Sequence, residues 1–437
     1  MSDQPGWFVG VDWASETHHA CLLDARGEIV GERSFAHGGE GLAALGAWIL
    51  AQTSAAPDAV HVAIEVPHGP VVESLMERGF RVHAINPKQL DRFRDRFSPA
   101  GAKDDRRDAR VLADALRTDP HCLRALAPLD PVVVELREWS RIAEELRQDR
   151  NRLANRVRDL LWRYYPQMLE LADDAAAPWF LDLWRLAPTP DKAARLPAAT
   201  LERLLKRHRI RRFDAPAILA RLRSPAIAVA PGTVAAAAAH LAAVAKRLDL
   251  VNRQIAEANR QLDRLTDRLA AAGSDSPGQP TEQRDVTILR SLPGVGRIVL
   301  ATLLAEAFDP LRRRDYHALR CLTGVAPVTK RSGKSHVVVM RQAAHVRLRN
   351  ALYHWARVAM QHDLTSKLKY AALRARGHSH ARALRSLADR QLNVACAMLK
   401  SGTPFDPARH KTCPHPQHTT LRASRKPDRP PGQRRLA

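Results

Sequence analysis

Residues 103–110 read Lys-Asp-Asp-Arg-Arg-Asp-Ala-Arg and place three carboxylates among four basic side chains, at the start of a helix predicted for residues 104–117. Positions three or four apart share one face of a helix, so Asp108 lies beside either Asp104 or Asp105, and spacing does not choose between them. Like charges on one face need a cation to offset them. The run therefore indicates either a metal site or a solvated helix start, where acids favour the first turn.

Two more acids, Asp12 and Glu65, each end an apolar stretch. Residues 7–12 read W-F-V-G-V-D, and residues 59–65 read A-V-H-V-A-I-E. A buried acid without a partner is costly, so these strand ends and the helix start suggest convergence on a divalent cation. Carboxylates without His or Cys suit Mg²⁺ or Mn²⁺, and two such ions about 4 Å apart stabilise the attacking and leaving oxygens of phosphodiester chemistry. The alternative is that Asp12 and Glu65 only cap their strands.

The elements that position these acids form a predicted α/β domain over residues 1–128. Strands are expected at 7–12, 20–24, 29–35, 59–65 and 81–86, and helices at 41–52 and 71–78. The first three strands form an antiparallel meander with a turn at Gly27, and β-α-β units follow. Strand-end acids in this setting are the arrangement of ribonuclease-H-like nucleases.

The middle of the chain, residues 129–275, is predicted to be helical. Apolar residues recur at helical spacing over 130–171 and again over 234–272, which indicates two arms of an antiparallel helical hairpin or coiled coil. A Pro-punctuated helical insert, 178–232, separates them and carries a basic run at 206–212. The long helices act either as an internal bundle or as an arm for oligomerisation or nucleic-acid binding, and the sequence favours neither.

A linker is predicted at residues 273–282, before a mostly helical C-terminal domain at 283–408. It opens with L-P-G-V-G at 292–296, before a helix that starts near Ile298. This pattern is typical of a helix-hairpin-helix turn, whose backbone N–H groups hold a phosphate, with Gly294 and Gly296 as the candidates. A plain tight turn is the alternative.

Ser332 and Gly333 follow in a stretch flanked by Lys330, Arg331 and Lys334. The stretch is not a P-loop, because position 328 is valine where the first glycine would stand. We expect a flexible cationic loop whose hydroxyl attacks a phosphate while the cations offset the charge. Simple contact with a phosphate is the alternative.

The overall charge points to a polyanionic partner. Lys plus Arg number 69 against 46 Asp plus Glu, a formal charge of +23, which favours nucleic acid. Five scattered cysteines imply no disulfide framework, in keeping with a reducing cytoplasm, and no apolar run is long enough to span a membrane. Residues 409–437 are expected to form a disordered, basic, nucleic-acid-binding tail. Its possible zinc ligands include one cysteine and are interleaved with prolines, which disfavours zinc: His410, Cys413, His415 and His418.

Taken in order, these motifs resemble the DEDD transposases of bacterial insertion sequences, specifically the serine-containing family numbered one hundred and ten, the bridge-RNA-guided recombinases. Asp12, Glu65 and K-x-D-x-x-D-A at 103–109 resemble its acidic tetrad. The L-P-G-V-G stretch, G-V-A-P at 324–327, the Ser-Gly pair and L-K-S-G-T-P-F-D-P at 399–407 resemble its C-terminal domain. The chain departs from the family at Asp104, where a small hydroxyl residue is usual, and lacks the Gly-Asn pair that usually follows the serine.

The resemblance implies a RuvC-like domain of ribonuclease H fold, a coiled coil and a mostly helical transposase domain. Asp12, Glu65, Asp105 and Asp108 would hold Mg²⁺, so the resemblance selects Asp105. Ser332 would form a covalent phosphoserine with a DNA end, in a composite site shared between protomers. The remaining site residues are predicted to contact nucleic acid: Lys103, Arg106, Arg107, Gly294, Gly296, Lys330, Arg331 and Lys334.

Two function classes follow from this reading, with a third behind them. The favoured one is a recombinase that excises and integrates an insertion sequence in double-stranded donor and target DNA, guided by a non-coding RNA. It would act as a homo-oligomer, dimeric or tetrameric, at the nucleoid of the bacterial cytoplasm. The alternative is a metal-only endonuclease of the Holliday-junction-resolvase type, and the third is a non-catalytic nucleic-acid-binding protein. A serine enzyme leaves a protein–DNA adduct, a nuclease leaves free ends, and a binder leaves DNA intact.

Overall fold

The computed structural model describes residues 6–97, 104–127, 130–171, 173–230, 232–271, 281–333 and 335–407. The chain divides into two compact units, Met1–Asp130 and Pro131–Ala437. Several predictions concern residues outside the described ranges: Lys103, Lys334, most of the linker, the zinc candidates and the basic tail.

The first unit is built on a six-stranded mixed sheet of order β3-β2-β1-β4-β5-β6. Strands β1, β2 and β3 form an antiparallel meander, β1, β4 and β5 are parallel, and β6 is antiparallel to β5. The predicted α/β class is therefore confirmed. The strands are β1 Trp7–Trp13, β2 Thr17–Asp24, β3 Ile29–Ala36, β4 Val60–Ile64, β5 Arg81–Ala84 and β6 Arg124–Ala125.

Helices cover both faces of this sheet, because alternate residues of each strand point to opposite sides. One face, with Val9, Val11 and Val62, packs against α1 and α2. The other, with Phe8 and Ala63, packs against α3 and α4. These helices are α1 Gly39–Thr53, α2 Pro70–Glu77, α3 Pro87–Arg94 and α4 Asp105–Thr118.

The sequence analysis missed helix α3 and the two-residue strand β6. Helix α3 begins with Pro87 and is capped by Asn86, whose side chain accepts a hydrogen bond from the Lys88 N–H at 3.0 Å. An Asn cap before a first-turn proline is a helix-start signal. It was hidden because Leu90 is the helix's one buried side chain.

The second unit is organised on two long helices, α5 Pro131–Tyr164 and α11 Thr233–Ala271. They are antiparallel, because Glu135, Arg147 and Arg150 of α5 bind successively earlier residues of α11: Arg264, Asn259 and Asn252. One end of the pair packs with the insert, α6 Pro166–Leu169, α7 Pro178–Leu186, α8 Pro190–Ala194, α9 Ala198–Arg207 and α10 Ala215–Leu222.

The other end of the pair shares one apolar core with the later helices of this unit. These helices are α12 Thr281–Ser291, α13 Arg297–Glu306, α14 Phe308–Arg312, α15 Tyr316–Thr323, α16 Val346–His362, α17 Leu364–Ala375 and α18 His380–Ser401. Between α15 and α16 the chain forms a two-stranded antiparallel sheet, β7 Val328–Ser332 and β8 Ser335–Val339. The linker prediction ran two residues too far, since α12 begins at Thr281. Across the described helices, none is both long enough and apolar enough to cross a membrane.

Candidate functional site

The register of the sheet brings Asp12 and Glu65 together. Strands β1 and β4 are parallel and pair Val11 with Ile64, so the next residues, Asp12 within β1 and Glu65 just after β4, lie side by side. Neighbouring strands lie about 4.8 Å apart. Strand alternation turns both acids toward the face that packs on α4, and both side chains are partly buried.

Gly10 lets helix α4 contact this face directly. A Cβ atom at Gly10 would lie 1.8 Å from the carbonyl oxygen of Ala109 and 2.6 Å from the amide nitrogen of Ala113. No side chain fits in that space, so the helix backbone rests on β1. Asp108 precedes Ala109, and Asp12 lies two residues beyond Gly10 on the same face, so Asp108 lies on the face of the sheet that carries the strand-end acids. A lone glycine inside a strand signals such an approach, and the sequence analysis overlooked it.

We expect Gly10→Ala to lower the free energy of unfolding by about 1–3 kcal/mol or more, because the new methyl group must push α4 away from the sheet. Urea denaturation of the full-length protein measures this. Gly39→Ala is the matched control, since a Cβ there meets no atom within 4 Å. Equal, small effects at both positions would show that the α4 contact does not depend on the glycine.

The three acids at the start of α4 differ in environment. Asp104 is the N-cap, and its side chain accepts a hydrogen bond from the Arg106 N–H at 3.3 Å. Asp105 is the first helical residue and is exposed, whereas Asp108, one turn later, is 1% exposed. Asp104 thus has a structural task at the helix terminus, and Asp105 and Asp108 are three apart along the helix.

The charge of Asp108 is balanced by Arg94, a residue that the sequence analysis did not single out. The Arg94 guanidinium donates from Nε to Oδ1 at 2.5 Å and from Nη2 to Oδ2 at 2.8 Å, and also binds Asp91. Burial lowers the pKa of Arg94, but its hydrogen bond to Asp108 and the charges of Asp108, Asp91 and Glu65 outweigh burial and raise it. Arg94 is therefore the cation of this acidic site. The sequence could have indicated Arg94 through the start signal of helix α3, which the sequence analysis missed.

The donor set fits a hard divalent cation. Carboxylates on one face of the sheet are the ligands that Mg²⁺ and Mn²⁺ prefer, and the buried Asp108 requires a positive partner. The four acids are not drawn into one cluster: within the described ranges, the one group of three candidate ligand atoms within 4.8 Å of one another is Asp119, His121 and Cys122. That group includes none of the predicted acids, and Asp119 already binds Arg96.

Replacing Arg94 should make the stability of the protein depend on divalent cations. Arg94→Gln leaves Asp108 buried without a counter-charge, which costs about 3–5 kcal/mol. Millimolar Mn²⁺ should recover part of this loss and raise the melting temperature of the variant more than that of the wild type. Arg96→Gln is the control, because Arg96 is 50% exposed where it pairs with Asp119, and such pairs contribute about 0–1 kcal/mol. Identical Mn²⁺ responses in all three proteins would contradict a cation site at Asp108.

The basic residues of α4 point elsewhere. Arg106 donates to Glu32 from Nη2 at 2.5 Å and from Nε at 3.2 Å, so its charge is already paired. Arg107 and Arg110 line a surface cavity of about 350 Å³, where Arg110 lies over the ring of Phe97 at 5.8 Å. Arg106 lines the same cavity, so both predicted nucleic-acid contacts on this helix lie at one surface.

Ser332 lies at the tip of a β-hairpin, so the prediction of a flexible loop was wrong. It is the last residue of β7, it is exposed, and it pairs with Ser335 of β8. Gly333, the next residue, has a φ of +52°. A glycine between two short stretches that contain β-branched residues is a hairpin signal. This signal was available in the sequence.

Strand alternation sorts the neighbours of Ser332. Lys330, Ser332 and Ser335 share one face of the hairpin, while Arg331 and His336 pair on the other. His336 is therefore not positioned to take the Ser332 proton. Both predicted cations on β7 are exposed, and the Ser332 hydroxyl has no hydrogen-bond partner in the described part of the chain.

The L-P-G-V-G stretch joins α12 to α13 in a tight turn. Gly294 has a φ of +83°, and a Cβ there would lie 2.8 Å from the Ala359 nitrogen and 2.9 Å from the Trp355 oxygen. Trp355 Nε1 also donates to the Pro293 carbonyl at 2.9 Å. Gly294 thus serves packing against α16, whereas Gly296, the exposed N-cap of α13, meets nothing within 4 Å. Gly296 is the better placed of the two for a phosphate.

Two segments of the chain match transposase families. Residues 9–166 match the DEDD transposase family of IS110 elements, described as "Transposase", and residues 286–371 match one described as "Transposase IS116/IS110/IS902 family". The chain is 66% identical over 217 residues to the putative transposase y4uE of Sinorhizobium fredii, a match that covers 49% of this chain and 60% of that protein.

Two relatives from Streptomyces coelicolor match over almost their full length. The chain is 33% identical over 418 residues to the mini-circle putative transposase for IS117, which covers 92% of this chain and 96% of that protein. It is 27% identical over 413 residues to the uncharacterized 43.6 kDa protein of insertion element IS110, with 93% and 96% covered.

Proposed function

The chain belongs to the IS116/IS110/IS902 family of transposases, and on that premise we propose that it cuts and rejoins DNA through Ser332 with the help of four carboxylates: Asp12, Glu65, Asp105 and Asp108. The observation that carries the proposal is that acids from three elements, Asp12, Glu65 and Asp108, lie on the one face of the sheet where α4 contacts Gly10. Capping of the two strands does not by itself account for a buried Asp108 with an arginine partner on the same face of the sheet.

The acids would hold Mg²⁺ or Mn²⁺. When bound, the ion would offset charge on the scissile phosphate and lower the pKa of a coordinated hydroxyl. The mixed sheet, with acids at two strand ends and on the helix across the same face, supports the RuvC-like, ribonuclease H assignment of this unit. The buried positions of α11 support the coiled-coil assignment, because they are spaced three, four, three, seven, four, three and four residues apart, which keeps a heptad spacing: Leu241, Val244, Leu248, Val251, Ala258, Leu262, Leu265 and Leu269.

Ser332 would supply the nucleophile. Its Oγ forms a bond to the phosphorus as the bond from phosphorus to one deoxyribose oxygen breaks, the hydroxyl proton leaves to solvent or base, and the leaving oxygen takes up a proton. Attack by a second DNA end reverses these changes and releases the serine. Lys330 shares the Ser332 face of the hairpin and would offset phosphate charge, and Arg331 and Lys334 would hold the flanking backbone.

A non-coding RNA of the element would select the donor and target DNA by base pairing. The charge of +23 supports binding of both nucleic acids. Arg106, Arg107, Lys103 and the α13 terminus at Gly296 are further candidate contacts, with Gly294 shaping the turn. The active form would be a homo-oligomer that acts at the nucleoid.

The test is a reaction of full-length protein with DNA carrying the element ends and with RNA transcribed from the element, in Mg²⁺ and resolved on denaturing gels. We expect labelled DNA that migrates with protein, and its loss when EDTA replaces Mg²⁺. Metal-dependent free ends without an adduct would support a metal-only endonuclease instead. If the DNA stays intact, the protein would be one that binds nucleic acid without cleaving it.

A further inference from the structure

Arg147 of α5 lies in an unfavourable electrostatic environment. Its guanidinium is partly buried and donates to neutral groups, from Nη1 to the Ala143 carbonyl at 3.0 Å and from Nη2 to Asn259 Oδ1 at 3.1 Å. Within the described residues no carboxylate lies within ion-pair distance of it. Burial lowers the pKa of Arg147, the charge of Glu144 opposes this, and the charges of Arg297 and Arg347 add to the lowering.

Arg150, one turn along the same helix, shows what a structural arginine looks like here. It too binds an asparagine of α11, from Nε to Asn252 Oδ1 at 2.9 Å, and Asn252 lies one heptad from Asn259. Unlike Arg147, it also donates from Nη2 to Asp174 Oδ2 at 2.5 Å. The two contacts are equivalent across the helix pair, but among the described residues a carboxylate is paired with Arg150 and none with Arg147.

The neighbours of Arg147 cannot supply the missing charge. Arg297, the first residue of α13, is already paired with Asp263 at 2.5 Å. Arg347 donates from Nη2 to Ser140 at 2.9 Å and approaches Glu306 at 3.2 Å. Glu306 is 5% exposed and is shared with Arg141 and His345. Positive charge therefore exceeds negative charge around Arg147.

We propose that Arg147, Arg297 and Arg347 form a binding site for the phosphodiester backbone of nucleic acid. This rests on the proposed function. A phosphate would offset the repulsion among the three guanidinium groups, which match its geometry. The site is accessible, since Arg297 is 42% and Arg347 24% exposed. It also adjoins Gly296, the exposed residue at which the N-terminus of α13 begins. The arginines and the backbone N–H groups of this helix terminus therefore bind one strand together.

The test measures binding of full-length protein to duplex DNA and to single-stranded RNA at several salt concentrations. Arg147→Gln should weaken binding about tenfold and reduce the slope of log K against log salt by about 1, without lowering the melting temperature. Arg150→Gln is the matched control. It should lower the melting temperature, because Asp174 loses its partner, and should leave the slope unchanged. Arg297→Gln, at an exposed position, should repeat the binding defect if Arg147→Gln does not fold.

An unchanged slope in Arg147→Gln and Arg297→Gln, or destabilisation of Arg147→Gln to the level of Arg150→Gln with wild-type binding, would overturn the site. Loss with one probe alone identifies the nucleic acid that occupies it, and loss with both supports a shared backbone site. If binding by the wild-type protein does not change with salt, the proposed nucleic-acid function itself is wrong. This result differs from a failure of the arginine site alone, so the two failures are distinguishable.

Discussion

Ser332→Ala should abolish the covalent protein–DNA adduct and strand rejoining, while DNA and RNA binding remain. The hydroxyl is the proposed attacking group, and alanine removes it without adding bulk at an exposed position of the hairpin. Denaturing gels of trapped reactions report the adduct, and electrophoretic mobility shifts report binding.

Ser335→Ala is the control because Ser335 pairs with Ser332 across the turn, on the same face and equally exposed. The adduct should survive this change. If Ser335→Ala removes the band and Ser332→Ala keeps it, the nucleophile is misassigned. Mixing Ser332→Ala with Asp12→Ala protein should restore some activity if acids and serine from different chains act together.

The second large effect is expected at the acids. Asp12→Ala, Glu65→Ala, Asp105→Ala and Asp108→Ala should each reduce DNA cleavage by about 10³-fold or more, as expected when charge stabilisation of the reacting phosphate is lost. Cleavage rates on labelled DNA measure this, and circular dichroism shows whether each variant is folded. Asp108→Ala should also lose stability, because Arg94 then lacks its buried partner.

Asp104→Ala tests whether Asp104 or Asp105 is the catalytic acid at the start of α4. The Asp104 side chain caps α4, so its loss should cost about 0.5–2 kcal/mol of stability and leave cleavage near the wild-type rate. If Asp104→Ala removes cleavage and Asp105→Ala does not, the choice of Asp105 is wrong.

The same acids show how much of the candidate site can be predicted from local sequence patterns. Asp12 and Glu65 could be placed at strand ends, and Asp104, Asp105 and Asp108 at a helix start, because apolar alternation, helical spacing and acids in a first turn are properties of contiguous residues. The two long helices were predictable for the same reason. Within them, local pattern was less reliable: Ile142 falls at helical spacing with the other apolar residues of 130–171 but is 41% exposed, while Ala143 is buried.

The sequence by itself determined which residues end strands, start helices and carry charge, and it identified the family through the order of its motifs. The tertiary structure alone decided that Asp12 and Glu65 stand side by side, that Gly10 admits the backbone of α4 and that Arg94 neutralises Asp108. It also decided that, among the residues it describes, Arg150 has a carboxylate partner and Arg147 has none. Each of these depends on strand register or on contacts between segments far apart in the chain. Such contacts are set by packing, and the residues that make them show no periodic pattern in the sequence.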